Sequence, residues 1–116
     1  MESKAFAKIN LHLEVLNKRQ DGYHEILSLM AEIGVYDLLK LAEIRPHGEI
    51  AVGITPAGGA FRNVIEAIPV EENLIGRAAR AYCEAIKETG VFDFTIEKNI
   101  PAGSGMGGGS ADAAAV

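Results

Sequence analysis

A chain of 116 residues with 48% hydrophobic side chains can bury one small core and holds at most one domain. Its formal net charge of −5 argues against general binding to nucleic acid or to an anionic membrane surface, so an anionic ligand must be met by a few placed cations and helix ends. The lone cysteine, Cys83, excludes an internal disulfide and fits a reducing compartment; no signal-like or membrane-spanning run is present, and a soluble cytoplasmic protein is the expectation.

Residues 5–15 carry the clearest pattern. Ala7, Ile9, Leu11, Leu13 and Val15 alternate with Lys8, Asn10, His12 and Glu14, which predicts a strand with one buried face. Lys8 and Asn10 project together from the other face, where a solvated surface without chemistry is the commoner fate. Residues 17–22 are polar and end in an Asp21-Gly22 turn signal. Residues 23–33 read as a second strand, with Leu27, Leu29, Ala31 and Ile33 on one side. Antiparallel pairing gives a wide hairpin, with Tyr23 and His24 expected near the end of the polar face that carries Lys8. A tyrosine beside a histidine at a strand entrance can stack on a base and bond its edge. The same pattern also fits Tyr23 at a core edge and His24 on the surface.

Residues 38–44 and 49–54 read as two shorter strands around a turn at Pro46-His47-Gly48, and residues 55–69, without periodicity, as a loop. Asn73 is the expected N-cap of a helix whose apolar stripe is Leu74, Ile75, Ala78, Ala79, Tyr82, Cys83 and Ile86, closed by Gly90. Arg77, Arg80 and Lys87 fall on its solvated side, and Cys83 reads as core rather than nucleophile. Phe92, Phe94 and Ile96 alternate with Asp93, Thr95 and Glu97 in a fifth strand. There is no internal repeat and no domain boundary.

Residues 100–116, IPAGSGMGGGSADAAAV, organise the rest. Five glycines fall between Gly103 and Gly109, and an alanine-rich helix former starting near Ser110 follows without a gap. Glycine lets a ligand approach the backbone closely, and a helix start adds unpaired N–H donors and a positive dipole end. Together they predict a phosphate loop rather than a flexible linker. No Gly-Lys-Ser/Thr ends the segment, so it is not a Walker loop, and the acidic residue of a dinucleotide fingerprint is missing. The phosphates must be held by backbone donors helped by Ser104 and Ser110, with cationic help from elsewhere. Asp112 reads as a dipole partner in the first turn of that helix rather than as a base.

With the loop and the first strand in view, the chain resembles the GHMP family of small-molecule kinases. The resemblance rests on Ala7-Lys8-Ile9-Asn10-Leu11, on Asp21-Gly22-Tyr23-His24, on Gly107-Gly108-Gly109-Ser110-Ala111-Asp112-Ala113-Ala114 and, more weakly, on Glu72-Asn73-Leu74-Ile75. It implies an α+β fold, the ribosomal-protein-S5-domain-2-like N-terminal domain of these kinases, with a mainly antiparallel sheet and helices on one face. It also implies ATP and Mg²⁺ as cofactors, and phosphorylation of a hydroxyl on a small cytidine-diphosphate substrate in isoprenoid synthesis by the non-mevalonate route. No nucleic-acid or membrane partner is implied.

By the same resemblance Lys8 matches the active-site lysine. Pro101, Ala102, Gly103, Ser104, Gly105, Met106, Gly107, Gly108, Gly109, Ser110 and Ala111 match the ATP-phosphate loop, with Asn73 near the adenine. Asn10, Tyr23 and His24 match positions lining the substrate, and no residue is matched to a metal. Met106 and Ala111 stand where leucine and a second serine are usual. The family's catalytic aspartate has no counterpart among residues 1–116. These residues are thus expected to form an ATP-binding domain cut at the helix after the loop, its C-terminal domain absent and the chain inactive alone. The alternative is a non-catalytic nucleotide-binding module completed by a partner chain.

Overall fold

The computed structural model describes all residues, Met1–Val116. Its elements are β1 (Glu2–Lys18), β2 (His24–Arg45), β3 (Ile50–Gly58), α1 (Arg62–Ala67), α2 (Leu74–Ile86), β4 (Gly90–Glu97) and α3 (Gly108–Ala115). The four strands form one sheet in the order β1-β2-β4-β3. β1 pairs antiparallel with β2 and β2 antiparallel with β4, whereas β3 runs parallel to β4. A parallel pair needs a crossover, and α1 and α2 supply it. The α+β expectation holds.

One face of the sheet makes the core. Leu39, Phe94 and Ile96 point into it and meet Ile65 of α1, Ile75 and Ala79 of α2, and Ala115 of α3. The intervening residues Lys40, Thr95 and Glu97 take the other face, as a period of two requires. Cys83 is buried among the apolar residues of α2, and burial pushes its thiol up, reinforced by Glu88 and opposed by Arg80; it is inert core, as expected.

Four expected features differ. The strand predicted over 38–44 is the second half of a single 22-residue β2, since Gly34 alone supplies no turn chemistry between Ile33 and Leu38. The expected loop 55–69 contains the last residues of β3 and the short α1. α2 ends on Lys87 in the left-handed conformation, φ 59°, rather than at Gly90, which starts β4. α3 begins two residues before the expected Ser110.

The largest departure concerns the hairpin. The expected buried face of β1 is buried only at Ala5 and Ala7, while Leu11, Leu13 and Val15 are 60%, 52% and 64% exposed. β2 pairs with β4 only through Leu38–Arg45, and the helices cover that part of the sheet. Beyond Lys8, where residues 105 and 106 reach β1, β1 and β2 run on as a two-stranded ribbon whose large apolar residues are exposed.

The α2 N-terminus follows the sequence closely. Asn73 accepts a hydrogen bond from Ile75 N at 2.9 Å and is itself buried. Asn73→Ala is expected to cost about 1 kcal/mol in denaturant unfolding, with Asn73→Ser recovering most of it; equal midpoints for all three would contradict the cap.

Candidate phosphate-binding site

The glycine segment leaves β4 and returns as α3, and β1 holds it from the side. β1 is an edge strand, so its outer N–H groups lack a strand partner. The register with β2 slips between Phe6 and Lys8, and there Lys8 N donates to Met106 O at 3.0 Å. Lys8 Nζ donates to Gly105 O at 2.7 Å, bringing its charge onto the loop. The loop thus joins the sheet edge as an irregular extra strand.

Within the loop, Gly103, Gly105 and Gly107 take φ of 68°, 76° and 72°, alternating with Ser104 and Met106 at negative φ. Such alternation turns successive amides to one side, the concavity that takes anions. Ser104 Oγ donates to Pro101 O at 2.9 Å and accepts from Met106 N at 3.3 Å, so this hydroxyl stiffens the loop. The amides of Gly103, Ser104, Gly105 and Gly107, and those of Gly108, Gly109 and Ser110 at the start of α3, donate to no group of the chain. Seven unpaired donors beside a lysine form a cradle of the kind that suits an anion.

The two helix N-termini meet here, since a Cβ added at Gly109 would lie 3.2 Å from Leu74 Cδ1 at the start of α2. Asn73, capping α2, therefore stands beside the loop. Asn10, two residues along β1 from Lys8, accepts from Ser28 Oγ at 3.0 Å. Tyr23 and His24 are elsewhere. Lys18 pairs with His24, so both residues lie at the hairpin tip, ten residues of β1 beyond Lys8. At about 3.3 Å per residue that is roughly 30 Å of strand. Bulges between Asn10 and His12 and between Val15 and Lys18 provide bend points along it.

Sequence reasoning missed the charges beneath the loop. Lys98, 3% exposed, donates from Nζ to Asp37 Oδ2 and, at 2.8 Å, to Asp112 Oδ2. Asp37 Oδ1 also accepts from the amides of Asn99 and Ile100. The signal was present: Asp37 follows the inward parity of Leu39 and Leu41, and Lys98 that of Phe94 and Ile96. Asp112 is not the first-turn dipole partner expected. It lies one turn further in, 2% exposed, with its Oδ1 unpaired. Burial pushes its carboxyl up to about 7; the bond and charge of Lys98 oppose this, and Asp37 adds to it. It faces Lys98 under the helix, away from the open side of the cradle, which also removes it as a base.

A cavity of about 840 Å³ is an apolar groove lined by Leu39, Tyr82, Phe94 and Val116 among others. It opens at the C-terminal end of α3, opposite the cradle. No cluster of three metal-ligating side chains exists, and no helix is long and apolar enough to cross a membrane.

The comparisons agree with this geometry. Residues 73–116, from the α2 cap through the cradle, match the model of the GHMP kinases N terminal domain. Over that segment the chain is similar to GHMP kinases. It is 39% identical over 113 residues to a 4-diphosphocytidyl-2-C-methyl-D-erythritol kinase of Solibacter usitatus, covering 97% of this chain and 32% of that protein. The kinase of the same name from Deinococcus radiodurans is 44% identical over 109 residues, covering 93% of this chain and 32% of that one. A crystal structure of a 4-(cytidine 5'-diphospho)-2C-methyl-D-erythritol kinase superposes with a TM-score of 0.73 at 38% identity, over 98% of this chain and 37% of its own. The chain spans about a third of the length of the curated relatives it matches.

Two predictions follow from the site alone. Gly107→Ala forces a left-handed alanine and sets its Cβ 3.2 Å from Lys8 Cε; thermal unfolding should show a loss of about 1–2 kcal/mol, and an unchanged midpoint would contradict the loop geometry. For Asp112, the folded chain holds the proton more tightly than the unfolded one, whose carboxyl titrates near 3.8. Its contribution to stability is full below about pH 4 and is lost as pH rises towards 7. The stability gained by Asp112→Asn over the parent should therefore grow from pH 5 to pH 8; a constant difference would contradict the burial assigned to this carboxyl.

Proposed function

We propose that this chain is the ATP-phosphate-binding part of a kinase that phosphorylates a hydroxyl of 4-diphosphocytidyl-2-C-methyl-D-erythritol, the compound named in its relatives. The observation that carries the reading is the row of unpaired amides from Gly103 to Ser110 with the Lys8 ammonium beside it. Phosphoryl transfer demands mainly positioning and neutralisation of charge on the moving group. The cradle amides take the oxygens of the terminal phosphates, and the dipole of α3 adds to their field. Lys8, fixed by a strand and by two contacts to the loop, places a positive charge where the transferring phosphoryl and the acceptor hydroxyl meet.

The residues fit a nucleotide's phosphates well and a resident metal poorly. With no acidic cluster at hand, Mg²⁺ would be held by phosphate oxygens and its own waters, as is usual for this ion. Asn73 and Leu74, at the start of α2, are assigned to the adenine side. Tyr23, 75% exposed at the hairpin tip, is assigned to stack on the cytosine, with His24 and Asn10 along the same substrate path. This assignment requires the ribbon to curve towards the loop at its bulges.

The test is turnover of that cytidyl substrate with ATP by the natural full-length protein. Lys8→Met is expected to lower kcat by about a hundredfold with KM for ATP changed much less. Tyr23→Ala should raise KM for the cytidyl substrate about tenfold with kcat nearly kept. A Lys8→Met enzyme with parental kcat would overturn the role given to that lysine, and absence of any transfer by the parent would overturn the reaction.

A further inference from the structure

The cradle has a floor that the proposed transfer does not use. Lys98 directly follows Glu97, the last residue of β4, which pairs with Leu38 of β2, the neighbour of Asp37. Its ammonium bonds Asp37 on one side and Asp112 of α3 on the other. Asp37 in turn holds the amides of Asn99 and Ile100, through which the chain enters the loop. The segment entering the cradle and the helix leaving it therefore close on one buried charge. Gly108, the first residue of α3, sits directly above: an added Cβ would lie 3.1 Å from Lys98 Nζ and 2.8 Å from Ile100 Cγ2.

The charges there do not cancel. With every group ionised, one ammonium faces two carboxylates beneath a site built for anions. Among the charged groups on the elements packed against α3, Lys8 of β1 is engaged with the Gly105 carbonyl, and Arg77 of α2 lines an outer groove beside Leu74 and Ala113. Neither acts on Asp112; only Lys98 and Asp37 do. Asp112 Oδ1 has no partner, so this carboxylate carries an uncompensated acceptor. Adding a phosphate above it raises the cost of that excess negative charge, and a proton on Asp112 removes it.

We propose that Lys98 is a positioning residue of the phosphate loop and that Asp112, acting through it, couples phosphate binding to the uptake of one proton. The inference rests on the phosphate-loop reading above. By reciprocity, a ligand that draws in a proton binds more weakly as pH rises. Buried Asp112 titrates near 7 in the free chain, where this coupling is largest.

The experiment is titration calorimetry of the protein with ATP and magnesium between pH 6 and pH 8.5, repeated near pH 7.5 in two amine or sulfonate buffers of different ionisation heat. The parent and Asp112→Asn are compared, so that titration of the nucleotide itself cancels. The parent should lose about fivefold in affinity from pH 6 to pH 8 relative to Asp112→Asn, and take up about half a proton more near pH 7.5. Lys98→Met, with folding checked by circular dichroism, should lose about tenfold or more in affinity at every pH; Asp112→Asn decides the coupling by itself. Equal proton uptake and parallel pH profiles in parent and Asp112→Asn would overturn the coupling, and parental affinity in a folded Lys98→Met would overturn the positioning role. No binding of ATP by the parent at any pH would instead remove the phosphate-loop reading, and this inference with it.

Discussion

The Lys98 ammonium lies where β4 leaves the sheet, and three segments that are distant in sequence converge on it. Asp37 comes from the middle of β2, Asn99 and Ile100 open the glycine segment, and Asp112 belongs to the helix that closes it. A lone buried ammonium would be prohibitively costly, and removing one partner from such a pair typically costs about 3–5 kcal/mol. The cluster therefore gains little net stability over an apolar substitute, but it tolerates few alternative arrangements. A loop with glycines at five of seven positions has no side chains to define its path, so its shape must come from its anchors. Lys98 fixes its two ends from below and Lys8 fixes its middle from the side.

The open edge of the sheet provides that second anchor. Had another strand covered β1, the Lys8 amide would be spent in a ladder and Met106 O would have no partner there. The same β1 carries the Lys8 cation on the solvated parity of a strand, where charges ordinarily mean nothing more than solubility. What distinguishes Lys8 is the loop arriving beside it, a contact between residues 97 positions apart in the chain.

That separation explains what the sequence could and could not disclose. The N-cap at Asn73, the apolar stripe of α2, the alternation of β4 and the turn from glycine run into helix are local, and each was readable from spacing and composition. The continuity of β2 was obscured because periodicity does not tell one long strand from two short ones. The bare hairpin was missed because an apolar alternation states which face seeks cover, not whether cover exists. Asp37 and Lys98 were legible only as charges of the wrong parity, and their pairing requires the β2–β4 register. Asp112 was misassigned because its role depends on a lysine fourteen residues earlier rather than on its own helix.

Amide spectra of the isotopically labelled chain titrated with ATP test most directly whether the cradle is the phosphate site. Binding should move the amide signals of Gly103 to Ser110 and of Lys8, and leave those lining the apolar groove at Tyr82 and Phe94 in place. Shifts confined to the groove or to the hairpin, with the glycine amides unmoved, would contradict it.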